Sequence, residues 1–213
     1  MRSPMTNSEL RTRNSELIMW GKEVLEKEIA ALEKVFSGLG KEFEEAVKHI
    51  KKCRGKVVVT GLGKSGHIGR KAAATFSSLG IPAVFLHSAE ALHGDVGIVQ
   101  KGDLIIAISH SGKSNEILQI IDTVEKLKVP VIAIVGNQSS PIARRAAVIL
   151  NTGVTSEADH LNLAPTASST VTLALMDALA VAAARSCGFT AADFASRHPA
   201  GALGAKARKK GGK

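Results

Sequence analysis

The sequence predicts an α/β domain in which helices cover both faces of a five-stranded parallel sheet, a three-layer αβα sandwich of the doubly wound kind. Two observations predict it. Short β-rich runs alternate with helical segments along most of the chain, as they do when each strand returns to the sheet through a helix. Several of these runs are apolar at consecutive positions, which is typical of strands covered on both faces.

A helical preface comes first. From about residue 15, apolar residues recur at helical spacing, Gly38 and Gly40 interrupt the pattern, and it restarts at Phe43. Three segments are predicted from this pattern and from the charge at the C-terminus: a disordered N-terminus over 1–14, one domain over 15–204, and a basic flexible tail over 205–213.

Strands and helices then alternate. Strands are predicted at 56–60, 83–86, 104–109, 131–135 and 148–150, and helices at 66–79, 114–127, 141–146 and 165–185. The last helix is apolar almost all round, broken mainly by Asp177. We therefore expect it to form core or a subunit interface rather than surface.

The amino-acid composition and the distribution of charge argue against several classes of function. Only 3% of the 213 residues are aromatic, which argues against a surface that stacks nucleic-acid bases. Five of the charges behind the net +9 lie in the last nine residues, and we expect a solvated terminus there rather than a nucleic-acid site. Neither a signal peptide nor an 18-residue apolar stretch is present, so no membrane partner is expected. Cys53 and Cys187 are too far apart in sequence for a zinc ribbon and fit a reducing, cytoplasmic location.

A glycine motif follows the first strand. Residues 61–66 read Gly-Leu-Gly-Lys-Ser-Gly, which matches G-x-G-x-x-G between a strand and a helix. Alone, this pattern indicates either a dinucleotide site or a structural turn. The acid that should end the second strand of a dinucleotide site is missing, because His87 stands there.

A serine-rich loop follows the third strand. Ser109, Ser111 and Ser114 surround Gly112 just before a helix. Three hydroxyls beside the free N–H groups of a helix N-terminus make an anion cradle, and we predict a phosphate there. Glu116 follows in the first helical turn. It is either an acid favoured by the helix dipole or a proton-transfer group beside the ligand.

Together these motifs resemble the phosphosugar-binding signature of the sugar isomerase (SIS) domain family, and within it the arabinose-5-phosphate isomerases. The resemblance extends over about 15–204 and rests on the segments 61–66, 87–95, 109–116, 163–166, 177–180, 188–195 and 198–201. It implies reversible isomerisation of D-ribulose 5-phosphate and D-arabinose 5-phosphate through an enediolate, with no required cofactor. It also implies self-association into a homotetramer or dimer and supply of a lipopolysaccharide or capsule precursor.

The resemblance also implies roles for individual residues. The catalytic positions fall on Lys64, Glu116, Glu157 and His198. The substrate-binding positions fall on Gly63, Ser65, His93, Ser109, Ser111, Ser114, Gly153, Val154 and Thr155. His87 matches a metal position, where zinc would be an inhibitory ligand rather than a catalytic one.

Isomerisation moves a proton between C1 and C2 of the sugar, and this step suggests a role for each residue at a catalytic position. Burial is expected to raise the pKa of a glutamate base, and Lys64 would neutralise the enediolate or the phosphate. Only the aldose can close a ring, so His198 is expected to open it. Because His198 follows the last predicted helix, we expect it to reach a neighbouring subunit's pocket.

Alternatives remain at this point. Lys64, Glu157 and His198 also suit a solvated helix start, an ordinary loop acid and a turn. The family usually has Glu-Ala-Cys-Pro where this chain has Glu157-Ala-Asp-His, and long members carry a pair of CBS regulatory modules for which the nine residues after Gly204 are too few. The chain is then a natural short form or a truncation. The same fold would also suit a regulatory module that binds a phosphosugar without turnover, or an isomerase for a longer sugar phosphate.

Overall fold

A parallel sheet forms the centre of the molecule. A computed structural model describes the backbone of residues 7–211 and the side chains of residues 14–211. The strands are β1 (Val57–Gly61), β2 (Ala83–His87), β3 (Leu104–Ile108), β4 (Val131–Val135) and β5 (Val148–Asn151). They lie in the order β2–β1–β3–β4–β5, and every neighbouring pair is parallel. The predicted fold class is confirmed.

Helices cover both faces of this sheet. They are α1 (Asn7–Gly38), α2 (Lys41–Lys52), α3 (Gly63–Ser78), α4 (Ser88–Ala91), α5 (Asn115–Lys126), α6 (Pro141–Arg144), α7 (Ala167–Ser186), α8 (Ala191–Arg197) and α9 (Gly201–Gly211). Val57 and Val59 of β1 pack in one core cluster with α2, α3 and α7. Val58, between them, packs in a second cluster with α5 and α6 on the other face. Consecutive strand residues are apolar because side chains on both faces are buried.

Helix α7 is a core helix. It packs against α1, α2 and α3, and its one interior acid, Asp177, accepts a hydrogen bond from Lys71 of α3 at 2.5 Å. By length and composition alone α7 would be long enough to cross a membrane, yet 56% of its apolar window is buried inside this chain. Of the two roles expected for this helix, a place in the core therefore describes α7.

Helix α1 has two apolar faces. Val24, Ala31, Leu32 and Val35 pack against a small core cluster that includes Val154. Seven other large apolar residues of the helix remain 53–78% exposed: Leu17, Ile18, Met19, Trp20, Leu25, Ile29 and Phe36. Among the described residues, α1 thus exposes seven large apolar side chains and α7 only Val181.

Both ends of the chain contain helix where the sequence analysis expects disordered or flexible segments. Helix α1 begins at Asn7, inside the segment expected to be disordered, since residues 7–20 contain no Gly or Pro to break a helix. Helix α9 continues to Gly211, inside the tail expected to be flexible, because its Ala and Lys residues favour helix. Residues 1–6 and 212–213 of those segments lie outside the described residues. The domain division at 15–204 stays a prediction.

Candidate functional site

A cavity of about 310 Å³ opens at the carboxyl edge of the sheet. It is lined by Lys64 and Ser65 of α3, by Thr155 and Glu157 of the loop after β5, and by His110, two residues beyond the end of β3. The carboxyl edge of an open parallel sheet is where ligands bind. Four of the predicted site residues, Lys64, Ser65, Thr155 and Glu157, thus share one cavity.

The glycine motif places Lys64 and Ser65 at this cavity. A Cβ on Gly61 would lie 3.0 Å from the backbone of Ser65, and a Cβ on Gly66 would lie 3.0 Å from the Gly61 carbonyl oxygen. Helix α3 can therefore begin directly at the end of β1 only because both residues are glycine. The tight turn accounts for these glycines without a dinucleotide. Gly63 begins α3 and is not among the residues that line the cavity.

The carboxylate of Glu157 is held by the N-terminus of α7. Its Oε2 accepts hydrogen bonds from the backbone N–H groups of Thr166 at 2.8 Å and Ser168 at 3.1 Å, and its Oε1 accepts from the Ser168 hydroxyl. Burial alone would raise the pKa of Glu157, but these donors, with a smaller contribution from the nearby charge of His110, bring it below its ordinary value. The expected rise in pKa is wrong for this glutamate, which stays ionised.

Asp159 shapes the loop that carries Glu157. Its carboxylate accepts hydrogen bonds from the backbone N–H groups of Leu161 at 2.5 Å, Leu163 at 2.8 Å and Ala164. These bonds lower the pKa of Asp159. Asp159 thus helps to fold the loop at the position where the family pattern usually has Cys, together with Asn162 and Thr166, which accept from the N–H groups of Glu157 and Ala158, and Glu157 lines the cavity.

The loop from 153 to 155 turns in two directions. The Gly153 carbonyl accepts a hydrogen bond from the Nζ of Lys34 on α1 at 2.7 Å. Val154 is buried in the cluster beneath α1, and Thr155 reaches the cavity. Gly153 and Val154, both predicted to bind substrate, therefore contact α1 and are not among the residues that line the cavity.

The serine loop adjoins the cavity. The hydroxyls of Ser109 and Ser114 hydrogen-bond to each other at 2.9 Å, and the Gly112 N–H donates to Ser109 Oγ at 3.2 Å. The Lys113 N–H donates to Ser111 Oγ at 3.3 Å. Ser114 is the N-cap of α5 but makes no side-chain capping bond, so the first N–H groups of α5 are left for an anion.

Glu116 lies in the first turn of α5, half-buried, and its carboxylate makes no hydrogen bond to another described residue. It is not among the residues that line the cavity. The two predicted catalytic glutamates therefore differ in their surroundings. Hydrogen-bond donors hold the carboxylate of Glu157 in place, whereas the carboxylate of Glu116 has no such donor among the described residues.

Two predicted histidines lie near the carboxyl end of β2: His87 is its last residue, and His93 comes after it. His93 is exposed beyond α4 and is not among the cavity-lining residues. His87 ends β2, and its Nδ1 is buried without a hydrogen-bond partner in the part of the chain that the structure describes. A zinc ion needs three or four protein ligands. Among residues 14–211 no three His, Cys, Asp or Glu side chains meet in that way, so the described part of one chain does not by itself supply a three-ligand zinc site at His87.

His198 lies at the opposite end of the sheet. Its Nδ1 is 2.8 Å from the Phe194 carbonyl oxygen and its Nε2 is 2.9 Å from Ser78 Oγ. A carbonyl only accepts, so Nδ1 carries the proton and the Ser78 hydroxyl donates to Nε2. Ser78 ends α3 and Lys64 is its second residue, about 21 Å away at 1.5 Å per residue. Within one chain, therefore, His198 does not join the cavity.

Among the cavity-lining residues that sequence reasoning missed, two have a polar role. His110 lines the cavity, and Ser168 holds Glu157. His110 stands inside the serine motif, where the hydroxyls alone carry the signal for an anion. Ser168 has a weaker signal, a hydroxyl in the first turn of a predicted helix.

Comparison with known proteins gives consistent matches. A family model described as SIS domain matches residues 49–182. The chain is 52% identical over 186 residues to arabinose 5-phosphate isomerase KdsD of Escherichia coli K12, an overlap of 87% of this chain and 57% of that protein. KdsD of Pseudomonas aeruginosa is 44% identical over 193 residues, 91% of this chain and 59% of that protein.

The fold matches as well. A protein of Escherichia coli CFT073 solved in complex with arabinose 5-phosphate superposes with a TM-score of 0.84 at 41% identity, over 92% of this chain and 100% of that chain. The present chain spans less than two thirds of the length of the curated relatives, 57% for the Escherichia coli K12 protein.

Proposed function

The chain belongs to the SIS domain family, and on that premise we propose that it interconverts D-ribulose 5-phosphate and D-arabinose 5-phosphate through an enediolate. The observation that carries the proposal is the cavity that Lys64 and Glu157 both line beside the serine loop. Relatives named arabinose 5-phosphate isomerase, with about half of their aligned residues identical to this chain, support the choice of substrate pair.

The phosphate would rest on the serine loop. The first N–H groups of α5 and the hydroxyls of Ser109, Ser111 and Ser114 offer donors to its oxygens. With the phosphate there, the other end of a five-carbon chain extends past His110 into the cavity that Lys64 and Glu157 line.

Proton transfer would then occur in the cavity. A base removes the proton from C2 of the aldose or C1 of the ketose, the C–H electron pair forms the C1–C2 double bond, and the carbonyl oxygen becomes an enediolate oxygen. The Lys64 ammonium stabilises that negative charge. Glu116 and Glu157 are the two carboxylates available for the proton at carbon and the hydroxyl protons. Glu157 is ionised throughout the neutral range, because its donors lower its pKa.

We further propose that His198 acts in the site of a second copy of the chain, within a homodimer or homotetramer. Its distance from Lys64 along α3 means that its own cavity is out of reach. The exposed apolar face of α1 provides a surface for the association. There His198 would open the ring of the aldose, which the ketose does not form. A cytoplasmic location, and a role in supplying a lipopolysaccharide or capsule precursor, complete the proposal.

Proton NMR of the purified protein with ribulose 5-phosphate in D₂O tests the isomerase function. We expect arabinose 5-phosphate carrying deuterium at C2, without added cofactor or metal, because the proton removed at carbon exchanges with solvent. Lys64→Met is the matched comparison, and loss of one charge-stabilising group of this kind costs about 10²–10³-fold in rate.

The same experiment separates the remaining alternatives. A sugar that binds but neither isomerises nor exchanges would contradict the enzyme and favour a regulatory phosphosugar-binding module. Faster turnover of a hexose or heptose phosphate than of ribulose 5-phosphate would contradict the proposed sugar length.

A further inference from the structure

His110 links the serine loop to the cavity. Of the residues from Ser109 to Glu116, which form the loop and the start of α5, His110 is the one that also lines the cavity with Lys64 and Glu157. A ligand with its phosphate on the loop and its reacting carbons between Lys64 and Glu157 therefore has to pass this imidazole.

The backbone and a neighbouring glycine fix where the ring lies. The His110 carbonyl accepts a hydrogen bond from the Gly136 N–H at 2.8 Å, which joins the ends of β3 and β4. A Cβ on Gly136 would lie 2.5 Å from Cε1 and 2.7 Å from Nδ1 of His110. The imidazole thus packs directly on the Gly136 backbone, in space that any other residue there would occupy.

The ring's polar atoms remain available. Neither nitrogen of His110 hydrogen-bonds to another residue in the described range 14–211, and the side chain is exposed. The charge of His110 is nevertheless close enough to contribute to the lowered pKa of Glu157. An imidazole nitrogen with no protein partner among those residues, placed between an anion loop and a carboxylate, suits a hydroxyl group of the ligand.

We propose that His110 is a further substrate-binding residue, which hydrogen-bonds a hydroxyl of the phosphosugar between the phosphate loop and Glu157 and so sets how far the sugar chain reaches into the cavity. This inference rests on the proposed isomerase function. It assigns to His110 a role in holding the sugar that is separate from phosphate binding by the loop.

The test compares His110→Ala and His110→Gln with the unmodified chain. Calorimetric titration measures the binding of arabinose 5-phosphate and of inorganic phosphate, and turnover is followed by NMR. For His110→Ala we expect arabinose 5-phosphate binding and kcat/KM to fall on the order of 10-fold, the effect of one hydrogen bond. Binding of inorganic phosphate and the thermal midpoint should not change. The Gln amide keeps a donor near the position of Nε2, the nitrogen that is not packed on Gly136, so His110→Gln should recover most of the loss.

His160→Ala is the control, because His160 is an exposed histidine that is not among the cavity-lining residues. An unchanged affinity for arabinose 5-phosphate in His110→Ala would overturn the proposal, as would an equal loss of affinity for inorganic phosphate. Binding is measured apart from turnover. An unmodified chain that binds the sugar without isomerising it would therefore overturn the proposed function and still decide the role of His110.

Discussion

The charge on Glu157 follows from the groups that donate to it. A half-buried carboxylate would ordinarily hold its proton more tightly, but here two backbone N–H groups and the Ser168 hydroxyl converge on it at the N-terminus of α7. Glu157 therefore serves the fold as well as the cavity, since it satisfies N–H groups that α7 leaves without partners.

Replacing Glu157 with Gln should destabilise the protein by about 1–2 kcal/mol at neutral pH, since the amide accepts these bonds less well than a charged carboxylate does. A lowered pKa in the folded state means that the stabilisation is present above the unfolded value of 4.5 and is lost as the pH falls through the lower folded value. Urea unfolding of both proteins from pH 3 to 8 measures the difference. A difference that grows as the pH falls below about 4.5 would contradict this assignment.

At the scale of elements, the serine loop depends on its packing against α6. Gly112 has φ +65°, and a Cβ there would lie 2.0 Å from the Ser140 hydroxyl oxygen and 2.4 Å from the Ser140 Cβ. The Ile142 N–H also donates to the Gly112 carbonyl at 3.1 Å. The loop can therefore take this shape only with glycine at 112.

Gly112→Ala should move the loop and weaken binding of inorganic phosphate at least about 10-fold, in addition to a backbone strain of about 1 kcal/mol. Gly188→Ala is the matched control, because Gly188 has φ +73° but a methyl group added there would meet nothing within 4 Å. Gly188→Ala should lose only the stability that corresponds to the backbone strain in urea, Gly112→Ala should lose more because its methyl group also meets Ser140, and only Gly112→Ala should lose phosphate affinity in calorimetry. Equal phosphate affinities would mean that the anion does not bind at this loop.

Strands were predicted correctly where burial on both faces of the sheet leaves a run of consecutive apolar residues. The consecutive apolar residues of β1 and β3 predict both strands within a residue of their bounds. Helix α4 and the 3₁₀ turn at Asp95–Ile98 were not predicted, because four residues are too few to show a helical period. Helix α8 was not predicted either, although Thr190 and Asp193 form a capping box at its start.

The site was partly predictable for a topological reason. Parallel strands bring their carboxyl ends to one edge, so Lys64 after β1 and the loop after β5 were expected to meet there. Which side of that loop faces the cavity depends on how α1 packs, and Val154 is buried for that reason. No local pattern carries this information. The site of His198 likewise depends on where the chain runs after α7, which neither spacing nor composition reveals.

At the scale of the whole molecule, α1 carries the largest run of exposed apolar side chains. Ile18, Leu25, Ile29 and Phe36 follow one another at intervals of 7, 4 and 7 residues, the spacing of a seam between paired helices. Leu17, Met19 and Trp20 are exposed as well, and because they are sequence neighbours of Ile18 they extend the exposed apolar surface to other sides of the helix.

The double variant Leu25→Gln, Ile29→Gln should shift the protein from oligomer to monomer in sedimentation velocity. Its fold should persist, because both side chains are more than half exposed in the single chain. We expect kcat/KM to fall at least about 10-fold as His198 leaves the neighbouring site, with phosphate affinity unchanged. Leu127→Gln, at an exposed leucine after α5, is the control. A fully active, monomeric unmodified protein would contradict the assembly.

The contact between α1 and the loop after β5 has a consequence for where this domain can be cut. The segment matched by the family begins at residue 49, yet one wall of the cavity rests on residues that precede it. Val154 packs beneath Val24 and Leu32, and Lys34 holds the Gly153 carbonyl. A fragment confined to the matched segment would keep Lys64 and Glu157 but lose the residues of α1 against which the loop before Glu157 packs. We therefore expect the cooperative folding unit to extend beyond the matched segment and to include α1.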